Sequence, residues 1–98
     1  MSVVEPGSVL RRRTSPAVEE VAVGTETVVY DADRRSLHVL DPVGSLIWQA
    51  LDGEATLAQV NADLAVAFGR TEVEVSEDVN AFVGQLLELG LIHPAGGS

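Results

Sequence analysis

A single junction between a strand pattern and a helix pattern constrains this chain more than any other feature. Before residue 41 the apolar residues alternate, as they do in strands, and after it they recur at helical spacing as far as residue 90. Asp41 can accept hydrogen bonds from the free N–H groups of a helix start, and Pro42 suits the first helical position because its missing N–H is not needed there. The junction therefore predicts a β part that comes first and an α part that follows.

Three short strands are predicted before the junction. Each combines apolar positions with β-branched or aromatic residues, and together they occupy residues 18–23, 27–30 and 36–40. The intervening segments, residues 24–25 and 31–35, have the length and polarity of hairpin turns. Consecutive strands joined in this way predict an antiparallel sheet, and a sheet this small must pack one face against helices.

Three helices are predicted after the junction, and each has its own start signal. The first follows Asp41, the second begins at Thr56 and the third begins near Thr71. Gln59 and Glu74 stand three residues after the two threonines, which is the spacing of a capping box. The α part of the chain is therefore expected to contain three consecutive helices.

Glycines mark the expected helix ends. Gly53, Gly69 and Gly90 follow the three periodic segments and suit the left-handed conformation that stops a helix. Residues 91–92 are expected to pack back as a short extended segment. Within the first helix, Trp48 is expected to lie at the rim of the core, because it is about 100° around the helix from the apolar stripe.

The length and composition predict one domain. The chain has 98 residues, of which 46% are hydrophobic, and this is enough for one small core. We expect residues 1–15 to form a flexible N-terminal arm, residues 16–93 the folded domain and residues 94–98 a flexible C-terminal end. The arm contains Arg11-Arg12-Arg13, so binding of an acidic partner is an alternative role for it.

Charge and cysteine content exclude several functions. The formal net charge is −9 and there is no cysteine, which removes disulfides, thiolate metal sites and thiol nucleophiles. The histidines, His38 and His93, are too few to indicate a metal site, and no phosphate-binding loop or nucleophile motif occurs. No apolar run reaches membrane-spanning length. We therefore expect a cytoplasmic protein that is not an enzyme and has no cofactor, metal or membrane attachment.

Several short motifs follow one another along residues 28–92. They are Tyr30-Asp31-Ala32-Asp33, Leu40-Asp41-Pro42-Val43-Gly44, Ile47-Trp48, Leu51-Asp52-Gly53, Leu64, Phe68-Gly69, Asp78-Val79, Phe82-Val83, Leu86 and Gly90-Leu91-Ile92. In order and spacing this set resembles the PqqD family, whose fold is the RiPP recognition element. The family often has asparagine where this chain has Asp41, and the pyrroloquinoline-quinone protein has a Pro-Glu-Gly-like stretch where this chain has Arg34-Arg35-Ser36. The resemblance is therefore to the broad family rather than to the protein of that pathway.

The resemblance implies both a fold and an activity. The implied fold is α+β, with a three-stranded antiparallel sheet followed by three helices in a winged-helix-like arrangement. Family members are non-catalytic proteins that bind the leader of a ribosomally synthesised precursor peptide. They deliver it to a modifying enzyme, such as a radical S-adenosylmethionine maturase or a leader peptidase, and these are the expected partners here.

The resemblance also implies where the leader lies, which is between the third strand and the third helix as an added strand. By position, the candidate strand residues are Ser36, Leu37, His38, Val39 and Leu40, and the candidate helix residues are Val75, Asp78, Phe82, Gln85 and Leu89. A sheet edge offers unpaired N–H and C=O groups to such a peptide. For Phe82, an ordinary core position is an equally good interpretation.

The main alternative is a winged-helix DNA-binding regulator, and a purely structural or dimerisation module is another. A DNA-binding helix needs cations, but residues 56–69 and 71–90 contain neither lysine nor arginine. A chain with a net charge of −9 is also poorly suited to neutralising phosphates. Nucleic acid is therefore not an expected partner.

We predict that the protein forms no strong complex with DNA, specific or nonspecific, because its charge is negative and both candidate helices lack cations. An electrophoretic mobility shift at low salt is expected to show no complex at micromolar protein, while a basic winged-helix protein in the next lane forms one. A complex at submicromolar protein would contradict the prediction.

Overall fold

The computed structural model describes residues 5–13 and 17–95. Residues 1–4, 14–16 and 96–98, which belong mostly to the expected flexible ends, lie outside the described residues. In chain order the elements are β1 (Val9–Arg12), β2 (Val18–Val23), β3 (Glu26–Asp31), β4 (Ser36–Leu40), α1 (Pro42–Ala50), β5 (Asp52–Thr56), α2 (Leu57–Phe68), α3 (Glu72–Glu88) and β6 (Ile92–Pro94). The predicted order of a sheet followed by three helices is confirmed.

The strands β2, β3 and β4 form the predicted antiparallel sheet, with β3 in the middle. Val23 faces Glu26 across the turn between β2 and β3, and Asp31 faces Ser36 across the loop between β3 and β4. Gly24 in the first turn has a φ of 63°, a conformation that glycine adopts without steric cost. The prediction of the α+β class is therefore confirmed together with its hairpin order.

The junction between sheet and helix is built as predicted. β4 ends at Leu40 and α1 begins at Pro42, so only Asp41 separates the two elements. Asp41 Oδ1 accepts a hydrogen bond of 2.6 Å from the backbone N–H of Gly44. The hydroxyl of Ser45 donates to the carbonyl of Leu40 at 3.2 Å. These two bonds attach the first turn of the helix to the end of the strand.

Helix α1 ends earlier than predicted, and Gly53 is not its terminator. The last helical residue is Ala50, and the N–H of Leu51 donates to the carbonyl of Trp48. Gly53 lies instead in β5 with a φ of 82°. Any side chain there would collide with the guanidinium of Arg11 on β1. Gly53 therefore supplies a left-handed backbone conformation within β5 rather than a helix end.

The predicted capping boxes of α2 and α3 are both present. Thr56 Oγ1 accepts from the backbone N–H of Gln59 at 3.1 Å, and Gln59 Oε1 accepts from the N–H of Thr56 at 2.8 Å. In α3 the hydroxyl of Thr71 donates to Glu74 Oε1 at 2.9 Å, and this bond lowers the pKa of Glu74 below its usual value. Gly69 ends α2 in the left-handed conformation, as predicted.

The structure contains a second sheet that the sequence analysis does not predict. Its central strand is β1, which pairs with β5 on one side and with β6 on the other. The expectation of a flexible arm is therefore wrong for Val9–Arg12, and the expected flexible end is wrong for Pro94, which lies in β6. Leu10 is 1% exposed, so burial stabilises β1 in addition to its ladders. Both partner strands are distant in sequence, and periodicity cannot reveal such a pairing.

Trp48 is completely buried, so the expectation that it lies at the rim of the core is wrong. Its indole N–H donates to Glu20 Oε2 at 2.9 Å, and the guanidinium of Arg12 lies 6.0 Å from the centre of the ring. Arg12 is also 3.5 Å from Glu20 Oε1. The ring can be buried because Glu20 on β2 satisfies its one polar hydrogen and Arg12 on β1 lies over it.

We predict that Asp41→Ala lowers the free energy of unfolding by about 0.5–2 kcal/mol, because it removes the acceptor for the N–H of Gly44. Asp41→Asn is the matched control, since asparagine caps a helix about as well as aspartate. Urea denaturation followed by circular dichroism measures both variants. An unchanged midpoint for the alanine variant would show that the cap does not stabilise this junction.

Candidate functional site

β4 is an edge strand, and the side of it that faces away from β3 is open. Over residues 5–13 and 17–95, β3 is the only strand that pairs with β4. An edge of this kind presents unpaired N–H and C=O groups to any further strand that approaches it. The alternation of the ladder identifies the residues that carry these groups.

The free backbone groups of β4 belong to Leu37 and Val39. Ala32 directly follows β3, and its N–H donates to the carbonyl of Ala17, directly before β2, at 2.9 Å. Because the direction of the backbone groups alternates along a strand, the even-numbered residues of β3 also direct theirs toward β2. The odd-numbered residues of β3 therefore bond to β4, where Val29 is paired with His38. The residues on either side of His38 then direct their N–H and C=O groups to the open edge.

The side chains of β4 divide between the two faces of the sheet. Leu37 and Val39 lie on the outer face and are 62% and 59% exposed. Ser36 and His38 are half-buried on the opposite face, with Ser36 Oγ 3.1 Å from His38 Nε2. Leu40 is buried on that same face. A peptide added to this edge would therefore extend both faces, because its own side chains alternate in the same way.

A cleft of 340 Å³ opens where β4 passes into α1. It is lined by Asp41, Val43, Gly44, Ile47, Asp78 and Phe82. Gly44 allows α3 to approach closely, since a Cβ at this position would be 3.3 Å from the ring of Phe82. Phe82 is half-buried and packs against the core, so its ring contributes both to the core and to the cleft.

A pocket of 270 Å³ between the three helices continues from the cleft. It is lined by Val43, Ile47, Leu64, Phe68, Arg70, Val75, Asp78 and Val79. Arg70 Nη1 is 3.3 Å from Asp78 Oδ2, and Arg70 Nη2 is 3.8 Å from Glu74 Oε2. Val43, Ile47 and Asp78 line both cavities, so the cleft and the pocket are direct neighbours, and we refer to the two together as the depression.

At the other end of β4, the loop that precedes the strand is attached to the end of α3. Arg13 donates to the carbonyl of Gly90 at 3.0 Å and to Asp33 Oδ2 at 3.1 Å. Arg34 lies against Gly90, which has a φ of 72° and where any side chain would collide with the guanidinium. The fully buried carboxylate of Asp31 accepts from the backbone N–H of Arg34 at 3.3 Å. These contacts hold the loop at a fixed distance from α3.

The residues that flank β4 approach the second half of α3 at two points, in the order expected if the two elements run in opposite directions. The start of β4 is near the end of α3 through Arg34 and Gly90, and the end of β4 is near the middle of α3 through Gly44 and Phe82. A strand of five residues spans roughly 17 Å and eight helical residues span roughly 12 Å, so the two segments have similar lengths. The open edge therefore lies between two points at which its flanking residues approach α3.

Only some of the predicted site residues share one depression. Asp78 and Phe82 line the cleft, and Val75 lines the pocket, where it is buried. Gln85 and Leu89 are exposed, about one and two turns beyond Phe82. The residues of β4 do not line the cleft but form the open edge beside it. A role in leader binding stays a prediction for all of these residues.

Sequence reasoning missed most of the pocket. Among the residues it did not include are Val43, Ile47, Leu64, Phe68 and Arg70. The apolar ones have the spacing of ordinary core positions, and the arginine follows a helix as a single surface cation. A cavity between three helices depends on their packing angles, which hydrophobic periodicity does not report.

The chemistry of the depression is that of a binding site with an apolar floor and a negative rim. Asp41, Asp78 and the nearby Glu74 outnumber the one cation, Arg70, so acidic ligands are disfavoured. In the described part of the chain, no three histidine or acidic side chains gather closely enough to hold a metal ion. None of the helices described is both long and apolar enough to cross a membrane.

Known proteins resemble this chain in sequence and in structure. A sequence model of the PqqD family, described as coenzyme PQQ synthesis protein D, matches residues 26–92. The PqqA binding protein of Rhizobium meliloti (strain 1021) is 33% identical over 84 residues, which cover 86% of this chain and 84% of the relative. The structure of TbiB1 in complex with the TbiA(beta) leader peptide matches with a TM-score of 0.73 and 22% identity, covering 88% of this chain and 96% of that one. At that identity the structural match establishes the fold.

We predict that the amide hydrogens of Leu37 and Val39 exchange quickly with solvent, whereas those of His38 and Leu40 are protected. In this register the amides of His38 and Leu40 donate to β3, whereas those of Leu37 and Val39 do not. Amides without a hydrogen bond at a sheet edge exchange fastest. Hydrogen exchange of the free protein, followed by NMR, measures all four.

The opposite edge of the sheet supplies an internal control for this exchange experiment. On β2 the same alternation predicts protected amides at Glu19 and Val21 and exchanging amides at Glu20 and Ala22. Strong protection of Leu37 and Val39 in the free protein would contradict the open edge.

Proposed function

The chain belongs to the PqqD family, whose sequence model matches residues 26–92, and we propose that it binds the leader of a ribosomally synthesised precursor peptide along the open edge of β4. The relative from Rhizobium meliloti is named PqqA binding protein, and TbiB1 has been solved with a leader peptide. The observation that carries the proposal is the position of free backbone groups next to an apolar cleft.

The proposed interaction begins with the backbone. Leu37 and Val39 offer two N–H and two C=O groups, which allow four hydrogen bonds of about 1 kcal/mol net each. Ordering a disordered leader costs about 2–5 kcal/mol, which offsets most of that gain. Useful affinity must therefore come from apolar side chains of the leader that are buried beside β4.

Phe82 is the best candidate contact for such an apolar side chain. Its ring is half-buried and lies in the cleft, at the end of the edge where Gly44 keeps α1 close to α3. Burying one large apolar side chain contributes about 1.5–3 kcal/mol, which is enough to make the balance favourable. In this proposal Gln85 and Leu89 border the leader further along α3.

The proposed role is non-catalytic delivery. The protein holds the leader and leaves the rest of the precursor free to enter the active site of a modifying enzyme, such as a radical S-adenosylmethionine maturase or a leader peptidase. The alternative of a DNA-binding regulator is disfavoured, because α2 and α3 carry no lysine or arginine. A cytoplasmic location stays a prediction.

We predict that Val39→Pro weakens binding of a leader-like peptide about fivefold or more, because proline removes one N–H from the open edge. The probe is a linear peptide selected from a phage-displayed library against the wild-type protein. Fluorescence anisotropy gives the Kd for each variant, and urea denaturation reports whether each variant is folded.

Ala22→Pro is the matched control for this variant. It also removes an outward N–H from an edge strand, but from β2, on the opposite side of the sheet. Its Kd is expected to equal that of the wild type. Equal affinities for folded Val39→Pro and wild-type protein, or a library that yields no binding peptide, would contradict strand addition at β4.

A further inference from the structure

Arg13 directly follows β1 and connects the end of α3 to the loop before β4. Its backbone N–H donates to the carbonyl of Leu91 at 2.8 Å, which fixes the residue beside the end of the helix. Its guanidinium donates to the carbonyl of Gly90 at 3.0 Å and to Asp33 Oδ2 at 3.1 Å. One half-buried side chain therefore bridges the end of α3 and the loop.

The loop between β3 and β4 has a conformation that must be held by its surroundings. Arg35, the last residue before β4, has a φ of 52°, although residues with a side chain seldom adopt the left-handed region. Such a conformation persists only where neighbouring contacts maintain it. On the β3 side, Asp31 Oδ1 accepts from the N–H groups of Asp33 and Arg34 at 3.0 and 3.3 Å. On the α3 side, the bond from Arg13 to Asp33 supplies a contact.

The two ends of β4 are positioned in different ways. At the end of the strand, Asp41 connects it covalently to α1, and Gly44 of α1 approaches α3. The start of the strand is distant in sequence from the end of α3, so noncovalent contacts determine the separation there. Arg13 and Arg34 provide such contacts at Gly90. The separation of β4 from α3 at this end therefore depends on side chains of the arginines.

We infer that Arg13 is a positioning residue for the leader, because it sets the separation between the start of β4 and the end of α3. The inference rests on the proposed function, in which the leader lies along β4 and beside Gln85 and Leu89. Arg13 acts through the loop rather than through contact with the peptide. Its loss is therefore expected to weaken leader contacts near Leu37 and to spare those near Val39.

The affinity for a leader and the stability of the fold are expected to respond differently to Arg13→Gln. The ion pair with Asp33 lies at the surface, and such a pair contributes little to stability. The variant is therefore expected to remain folded in the urea assay. Fluorescence anisotropy with the peptide selected from the displayed library is expected to show a Kd about fivefold higher than that of the wild type.

Two further variants support this measurement. Arg13→Lys keeps the charge and one donor, so it should restore part of the affinity. Arg11→Gln is the matched control, because Arg11 belongs to the same arginine cluster but lies against Gly53 in β5. Its Kd is expected to equal that of the wild type. An unchanged Kd for folded Arg13→Gln would overturn the inference.

Two shortened peptides distinguish positioning from a general effect on the fold. Nuclear Overhauser contacts between the bound peptide and the methyl groups of Leu37 identify the end that lies beside the start of β4. Arg13→Gln is expected to leave the Kd unchanged for the peptide shortened at that end and to weaken the peptide shortened at the opposite end. Equal weakening of both shortened peptides would contradict a positioning role.

Hydrogen exchange keeps the test decisive if Arg13→Gln does not fold or a shortened peptide binds too weakly. Asp33→Ala removes the same bond from the loop side, where the aspartate side chain is 65% exposed. In this free variant the amide of Ser36 is expected to exchange faster than in the wild type, while that of Leu40 stays protected. Unchanged protection of Ser36 would overturn the inference. Failure of strand addition is recognised separately, since Val39→Pro would then leave the affinity unchanged.

Discussion

The one-residue connection between β4 and α1 is the constraint on which the rest of the site depends. With only Asp41 between Leu40 and Pro42, no loop can absorb a change in direction between strand and helix. The carboxylate of Asp41 fixes the first turn by accepting the N–H of Gly44 at 2.6 Å. The start of α1 must therefore lie at the end of the open edge, and the approach of Gly44 to Phe82 then creates the cleft.

The first strand and its arginines stabilise this arrangement from within the molecule. Arg11 lies against Gly53, Arg12 is 3.5 Å from Glu20 and over the ring of Trp48, and Arg13 donates to Gly90. Arg12 and Arg13 therefore have charged or hydrogen-bonding partners in the chain itself, which weakens the case for a basic arm that binds an acidic partner. The same contacts connect β1 to β2, β5 and the end of α3, so the second sheet also holds the borders of the site.

In the proposed function, the winged-helix-like arrangement would bind its peptide through a strand edge instead of a helix face. The edge supplies four backbone groups whose hydrogen bonds are largely offset by the ordering of a leader, so they determine register more than affinity. The depression between the helices supplies apolar surface but has a negative rim. In the proposed function, this division of roles explains how an acidic domain can select a peptide.

The sequence alone determined most features that depend on residues within about four positions of one another, with the end of α1 as an exception. These include the strands from β2 to β4 and the caps at Asp41, Thr56 and Thr71, because alternation, capping and turn chemistry are local. Tertiary structure decided the pairing of β1, the burial of Trp48 and the pocket, since each depends on groups brought together from distant segments. Tertiary structure also decided that the backbone groups of Leu37 and Val39, and not those of His38, face the open edge. Which alternate residues of a strand bond to its neighbour is set by the strand register, and the order of residues does not reveal it.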